Sequence, residues 1–544
     1  MTRHDFLTFL DRFLVERIPL TREAALADWE AATSGSREAY EKAAAIKKKL
    51  EALHADRQAF AFLREVRASG TIQDPLEKRQ LEQLYRRFLA NQYPDDLREQ
   101  IISLGAAIEH RFANFRGSVG TQRVTDNEIE EVLRKSTDAS TLREYYEASK
   151  QVGHEVQSDV VRLVKLRNEA ARHLGYRDYF QLKLDLDEQE EAWLLALFDD
   201  LDRRSAPAFA AAKAVMDRAL ATRHRIAPAD LMPWHYQNRF FQDAPSIGAI
   251  DTDTPFREAS LEAVVGAFYR SIGLEADDII RRSDLYEREG KNPHAFCVDI
   301  DREGDIRTLQ NLRGNLYWAD TFLHELGHGV YAKYVDRSLP WLLRTENHIF
   351  ATEGVALLFG RLAWNVHWLI AMGLLPASER HWWESPLTER QRHQALVFSR
   401  WTQVVVRFEK ALYANPDQDL NALWWSLVER FQELRRPPRP PGAADWAAKI
   451  HIALYPIYYH NYELGELYAS QLHATICREL FQNEPSPRIV YTPHTGVGRF
   501  LRAKVFGPGA CRHWRAFVRD STGEELSPEA FARDSISGVG LIDR

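Results

Sequence analysis

Apolar residues recur every three or four positions along most of this chain, with charged residues filling the gaps. Residues 5–30, 38–69, 76–115, 127–151 and 155–174 all keep that spacing, which gathers their apolar side chains on one helix face. Helix start signals fit the pattern: Thr125 stands ahead of Asp126-Asn127-Glu128, and Ser136-Thr137-Asp138 precedes a further helical run. Alternation with a period of two is scarce. Its best instances are Phe296–Ile300 and Ile306–Leu309, joined through Asp301-Arg302-Glu303-Gly304, which suits a hairpin turn. The pattern predicts a mainly α protein with a small β-sheet just upstream of residue 324.

Three stretches read as joints. Pro207 to Pro228 brackets a basic helical stretch that leads into Pro233-Trp234-His235. Residues 243–255 read as loop. Residues 435–442, RRPPRPPG, read as an extended connector, because proline lacks the N–H a helix needs and clashes with the preceding turn. Recognition of this segment by a proline-binding module is the alternative; its place between two strongly patterned segments favours the connector. No internal repeat is visible, so residues 1–544 are expected to form one large unit.

Composition narrows the function classes. Hydrophobic residues at 45% and charged residues at 27% are ordinary for a globular protein. A formal net charge of −7 gives no reason to expect nucleic acid or an anionic membrane as partner. Cys297, Cys477 and Cys511 are too few and too scattered for a disulfide framework or a cysteine zinc site. Acids interrupt the apolar residues of the first twenty positions, unlike a signal peptide, and no run of about 18 apolar residues could span a membrane. The expectation is a cytoplasmic protein, or a periplasmic one if a signal peptide has been removed.

The chemistry concentrates at HELGH, residues 324–328. On a helix, His324 and His328 lie one turn apart on one face and can reach a single metal ion. Glu325 projects beside that ion, placed to act as a general base. A catalytic zinc usually takes three protein ligands, and Asp336, Glu346 and Glu353 follow downstream. The chain leads Asp336 away from the site. Glu346 sits in a polar stretch where solvent suffices. Glu353 falls in an apolar segment, where a carboxylate needs a partner, so it is favoured; a salt bridge to Arg361 is the alternative. A second cluster lies in KIHIALYPIYYHNYELGELY, residues 449–468. His451, Tyr455, Tyr458 and Tyr462 would share a face if helical, and imidazole and phenol donors suit an oxyanion. Core packing of a tyrosine-rich face is the alternative. Pro456 is expected to start the regular helix, leaving His451–Tyr455 in the approach loop.

These segments resemble the helical zinc peptidases that include angiotensin-converting enzyme and bacterial dipeptidyl carboxypeptidases. The resemblance covers most of the chain and is carried by LVKLRNEAARHLGYRDY (163–179), HAFCVDIDREGDIR (294–307), WWSLVERFQ (424–432) and KIHI (449–452). The chain is also similar to the thimet oligopeptidase and oligoendopeptidase F family, through the His328-to-Glu353 spacing and YPIYYHNYELGELY. The resemblance implies a two-lobed helical ellipsoid with a deep central substrate channel, helices of residues 1–115 forming a lid and 116–544 the catalytic core. It implies one Zn2+ per chain held by His324, His328 and Glu353, with Glu325 as general base. His451 and Tyr462 or Tyr458 would stabilise the oxyanion. His294 and the backbone of Ala295 would align the substrate, with Tyr455 among the substrate-binding residues. Lys449 would hold the substrate C-terminal carboxylate. The implied substrates are short oligopeptides, cut internally or, alternatively, strictly as C-terminal dipeptides; an inactive peptide-binding relative is the reading of another class. Departures affect the details. Leu357 replaces an acid that orients a ligand histidine, Tyr459 or His460 stands where an arginine linked to chloride activation falls, and the amide partner of Lys449 is expected to be missing, with Asp251 near its place.

Overall fold

Side-chain caps decide where the helices begin and end. In the computed structural model, which describes residues 1–248, 250–482 and 487–536, Thr2 and Asp5 form a capping box that opens helix Arg3–Ser34, and Gly35 closes it at φ 66. The pattern over 38–69 divides into helices Arg37–His54 and Arg57–Ser69, because the Asp56 carboxylate accepts the N–H groups of Gln58 and Ala59 and starts a new helix. The pattern over 76–115 divides likewise into Pro75–Leu89 and Asp95–Asn114. Thr125 and Glu128 box the start of Asp126–Lys135, and Asp138 caps one continuous helix, Ala139–His173, which absorbs the boundary expected near residue 153. Apolar periodicity runs straight through such breaks, so it identifies the helices but not their ends. Pro207 is no joint: it lies inside helix Glu191–His224, which ends at Arg225 with φ 57.

The described strands form two antiparallel pairs, and the remaining regular structure is helical. Gly117–Val119 pairs with Gln122–Val124, a hairpin too short for the period-two pattern to reveal. Phe296–Asp299 pairs with Ile306–Leu309, with Phe296 opposite Leu309 and Asp299 opposite Ile306, as the alternation predicts. The fold is mainly α.

The chain divides into two compact units. The first comprises residues 1–92, 250–387 and 464–530, the second 93–249, 388–463 and 531–544; one division falls within the predicted loop 243–255. In the first unit, Phe6, Leu10 and Phe13 of the N-terminal helix pack with Leu63, Val66, Leu84, Phe88, Trp341 and Leu342, so residues 1–92 share a core with the segment that follows HELGH. In the second unit, the proline-rich connector is tied down. The Arg439 side chain is buried, bonds Glu147, and places Nε 2.7 Å from Asp445 Oδ2. Among the described residues, no helix is long and apolar enough to cross a membrane.

Candidate metal centre

HELGH lies on helix Leu316–Lys333, whose start is fixed by the Asn315 side chain accepting the Trp318 N–H at 2.9 Å. Phe322, Leu323, Leu326 and Val330 bury its apolar face. Gly327 has a packing reason to be in the motif. A Cβ there would meet the Cα of Ala356 at 2.8 Å, so only glycine lets helix Ile349–Gly360 come this close. That second helix carries Glu353. Gly354 allows the same close approach on its other side, where a Cβ would meet Tyr468 Cδ1 at 2.7 Å and the Gly465 carbonyl at 3.0 Å. Gly465 in turn faces the Glu353 Cβ, which an added Cβ would meet at 3.0 Å. Three glycines thus seat Glu353 between the motif helix and helix Tyr459–Leu480.

The result is a cluster of donor atoms. One ligand atom from each of His324, His328 and Glu353 lies within 4.8 Å of the others. The two Nε2 atoms are 3.2 Å apart, and Glu353 Oε2 stands 3.7 Å from His324 Nε2 and 4.0 Å from His328 Nε2. Two donors each about 2.05 Å from a tetrahedral zinc stand about 3.3 Å apart, so the imidazole pair fits that ion. Burial holds His324 well below the usual histidine range and His328 down to about 4, which keeps both rings neutral, as metal ligation requires. His328 Nδ1 lies 2.6 Å from Thr352 Oγ1. Arg361, the alternative partner for Glu353, reaches Glu466 at 3.4 Å.

Glu325 is buried beside this cluster. Burial first, and the negative charge of Glu353 second, push its carboxyl up to about 8, while the Cys297 backbone N–H pulls the other way. A divalent cation among the three donors would oppose that shift. Strand Phe296–Asp299 lies against the motif helix, where a Cβ at Gly329 would meet Cys297 Sγ at 3.7 Å. Among the described residues this strand pairs with another strand along one edge only. Ala295 immediately precedes the strand, and the exposed His294 begins the turn into it, its backbone N–H bonded to Asn292 Oδ1 at 2.9 Å.

The second group of predicted residues belongs to the second unit. His451 lies on a short helix, Ile450–Leu454, rather than in an approach loop. Pro456 does not start the next helix. Ile457 takes φ 56 with its N–H bonded to buried Glu409 at 2.7 Å, and regular helix resumes at Tyr459. Ring centroids of Tyr458 and Tyr462 are 5.0 Å apart, and those of His451 and the exposed Tyr455 are 5.6 Å apart. Tyr459, which pattern reasoning did not select as an oxyanion donor, links the two pairs at 5.1 Å from His451 and 5.4 Å from Tyr462.

Lys449 corrects an expectation. Its amide partner is not missing: Nζ donates to Gln242 Oε1 at 2.8 Å, whereas Asp251 pairs with Arg257. The rings of Phe240, Trp401 and Tyr459 each stand 5.4 Å from Nζ. Burial, helped by Arg239 and opposed by Asp243 and Glu130, pushes the ammonium down to about 7. The signal overlooked was FFQDAP, residues 240–245, just where the loop begins. Thr352 was overlooked as well, although it adjoins Glu353.

Fold and site define a class: a mainly helical protein with an H-E-x-x-H helix and a downstream glutamate whose donor atoms converge. The family model described as angiotensin-converting enzyme matches residues 2–232 and 259–532, and the chain belongs to that peptidase family. The unmatched stretch between those blocks contains Phe240 and Gln242. No curated protein matches the chain.

Proposed function

We propose that this chain is a zinc-dependent peptidase that hydrolyses short peptides and holds them by a free C-terminus. The observation that carries the reading is the convergence of His324, His328 and Glu353 within 4.8 Å beside Glu325. When bound, zinc supplies a Lewis acid that polarises the scissile carbonyl and acidifies water. Glu325 takes a proton from the attacking water and delivers it to the leaving amine. His451 and Tyr458 or Tyr462 donate to the oxyanion. The edge of strand Phe296–Asp299 that pairs with no other strand, with His294 and Ala295, aligns an extended peptide by backbone hydrogen bonds. Lys449, a buried ammonium whose neutral partner is Gln242, donates to the terminal carboxylate. A fixed amide partner makes that anchor more selective than a lone lysine, which favours release of C-terminal dipeptides over internal cleavage.

The test is one peptide of about ten residues, offered with a free and an amidated C-terminus to protein of measured zinc content, with products read by mass spectrometry. One zinc per chain and dipeptides from the free form are expected, with little cleavage of the amide. Zinc content near zero with no cleavage would leave a peptide-binding relative. Equal cleavage of both forms would remove Lys449 from the anchor role.

A further inference from the structure

We infer that Thr352 is a positioning residue of this centre, holding the His328 ring in the tautomer that turns the Nε2 lone pair toward the metal. The inference rests on the zinc reading above. Thr352 Oγ1 lies 2.6 Å from His328 Nδ1, and the opposite ring nitrogen faces His324 Nε2 at 3.2 Å and Glu353 Oε2 at 4.0 Å. A neutral imidazole carries one ring proton. If Nδ1 carries it and donates to the threonine oxygen, Nε2 presents a lone pair to the other two donors. If the hydroxyl donated instead, the proton would sit on Nε2 and point where the cation must go. Metal ligation selects the first arrangement, and the hydrogen bond fixes the ring plane with it.

Position strengthens the assignment. Thr352 is buried on helix Ile349–Gly360, directly before Glu353, so one rigid element delivers both the third donor and the holder of the second. A hydroxyl does the orienting without a charge, so it fixes the ring while raising its basicity less than a carboxylate would.

Thr352→Val keeps the side-chain shape and removes the acceptor; Thr352→Ser keeps the acceptor. Zinc dissociation constants by competition with a chromophoric chelator, with thermal melting of the zinc-free proteins as a fold control, decide the matter. The valine variant is expected to bind zinc ~10–100-fold more weakly than wild type, and the serine variant, which retains the hydrogen bond, to stay close to wild type and well above valine. Valine and wild-type proteins of equal zinc affinity would overturn the inference, as would a serine variant as weak as valine. Should the valine variant fail to fold, Thr352→Ala against Thr352→Ser carries the same comparison. A wild-type protein that binds no zinc, or binds it equally after His324→Ala, would overturn the metal reading itself.

Discussion

Replacing Gly327 by alanine tests whether the motif glycine sets the geometry of the centre. The new Cβ would lie 2.8 Å from the Ala356 Cα, 3.3 Å from the Ala356 nitrogen and 3.4 Å from Phe359 Cδ2. Two of these are backbone atoms and cannot rotate away. Carbon atoms pack at about 3.5–4.0 Å, so helix Ile349–Gly360 must retreat by roughly 0.7 Å or more. Glu353 and Thr352 sit one turn earlier on that helix and move with it. Zinc–ligand distances tolerate about ±0.2 Å, so the displacement exceeds what the ion accepts. Stability responds less. Alanine stabilises a helix interior by about 0.5–1 kcal/mol over glycine, while overpacking costs about 1–3 kcal/mol. The net loss is about 0–2.5 kcal/mol, whereas zinc affinity should fall by ~10-fold or more, at least about 1.4 kcal/mol. Chelator competition and melting of the zinc-free variant measure the two quantities separately. A variant that melts like wild type and binds zinc within a factor of two would refute the packing argument.

Glu325→Gln should retain one zinc while turnover falls by about 10²–10⁴-fold; stopped or single-turnover assays on zinc-loaded protein check it, and retention of a tenth of the activity would end the base assignment. Glu353→Ala should lose zinc on dialysis and Glu346→Ala should not, with metal analysis deciding between them. The Lys449 ammonium, held down to about 7 in the free protein, carries charge below that pH and loses it above. The KM of a free-acid peptide should therefore rise as pH climbs through 7, while that of its amide stays flat; parallel profiles would show that Lys449 does not grip the carboxylate.

Local signals reached far in this chain. Helical class and the strand pair Phe296–Asp299 with Ile306–Leu309 follow from periodicity, because burial of one face demands a period set by the backbone. The one-turn spacing of His324 and His328 is likewise a property of helix geometry alone. The helix start after Asp56 was less legible, since a single capping carboxylate competes with a periodicity that continues past it, whereas Ser136-Thr137-Asp138 announced its helix directly. What tertiary structure decided was which distant segments meet. Glu353 reaches the histidines because Gly327, Gly354 and Gly465 let three helices approach closely, and nothing in the local pattern around any one glycine names its neighbour. Gln242 reaches Lys449 across 207 residues, and Thr352 reaches His328 across 24. Such pairings depend on side-chain shape complementarity between elements far apart in the chain, so periodicity, which reports one element at a time, leaves them undetermined.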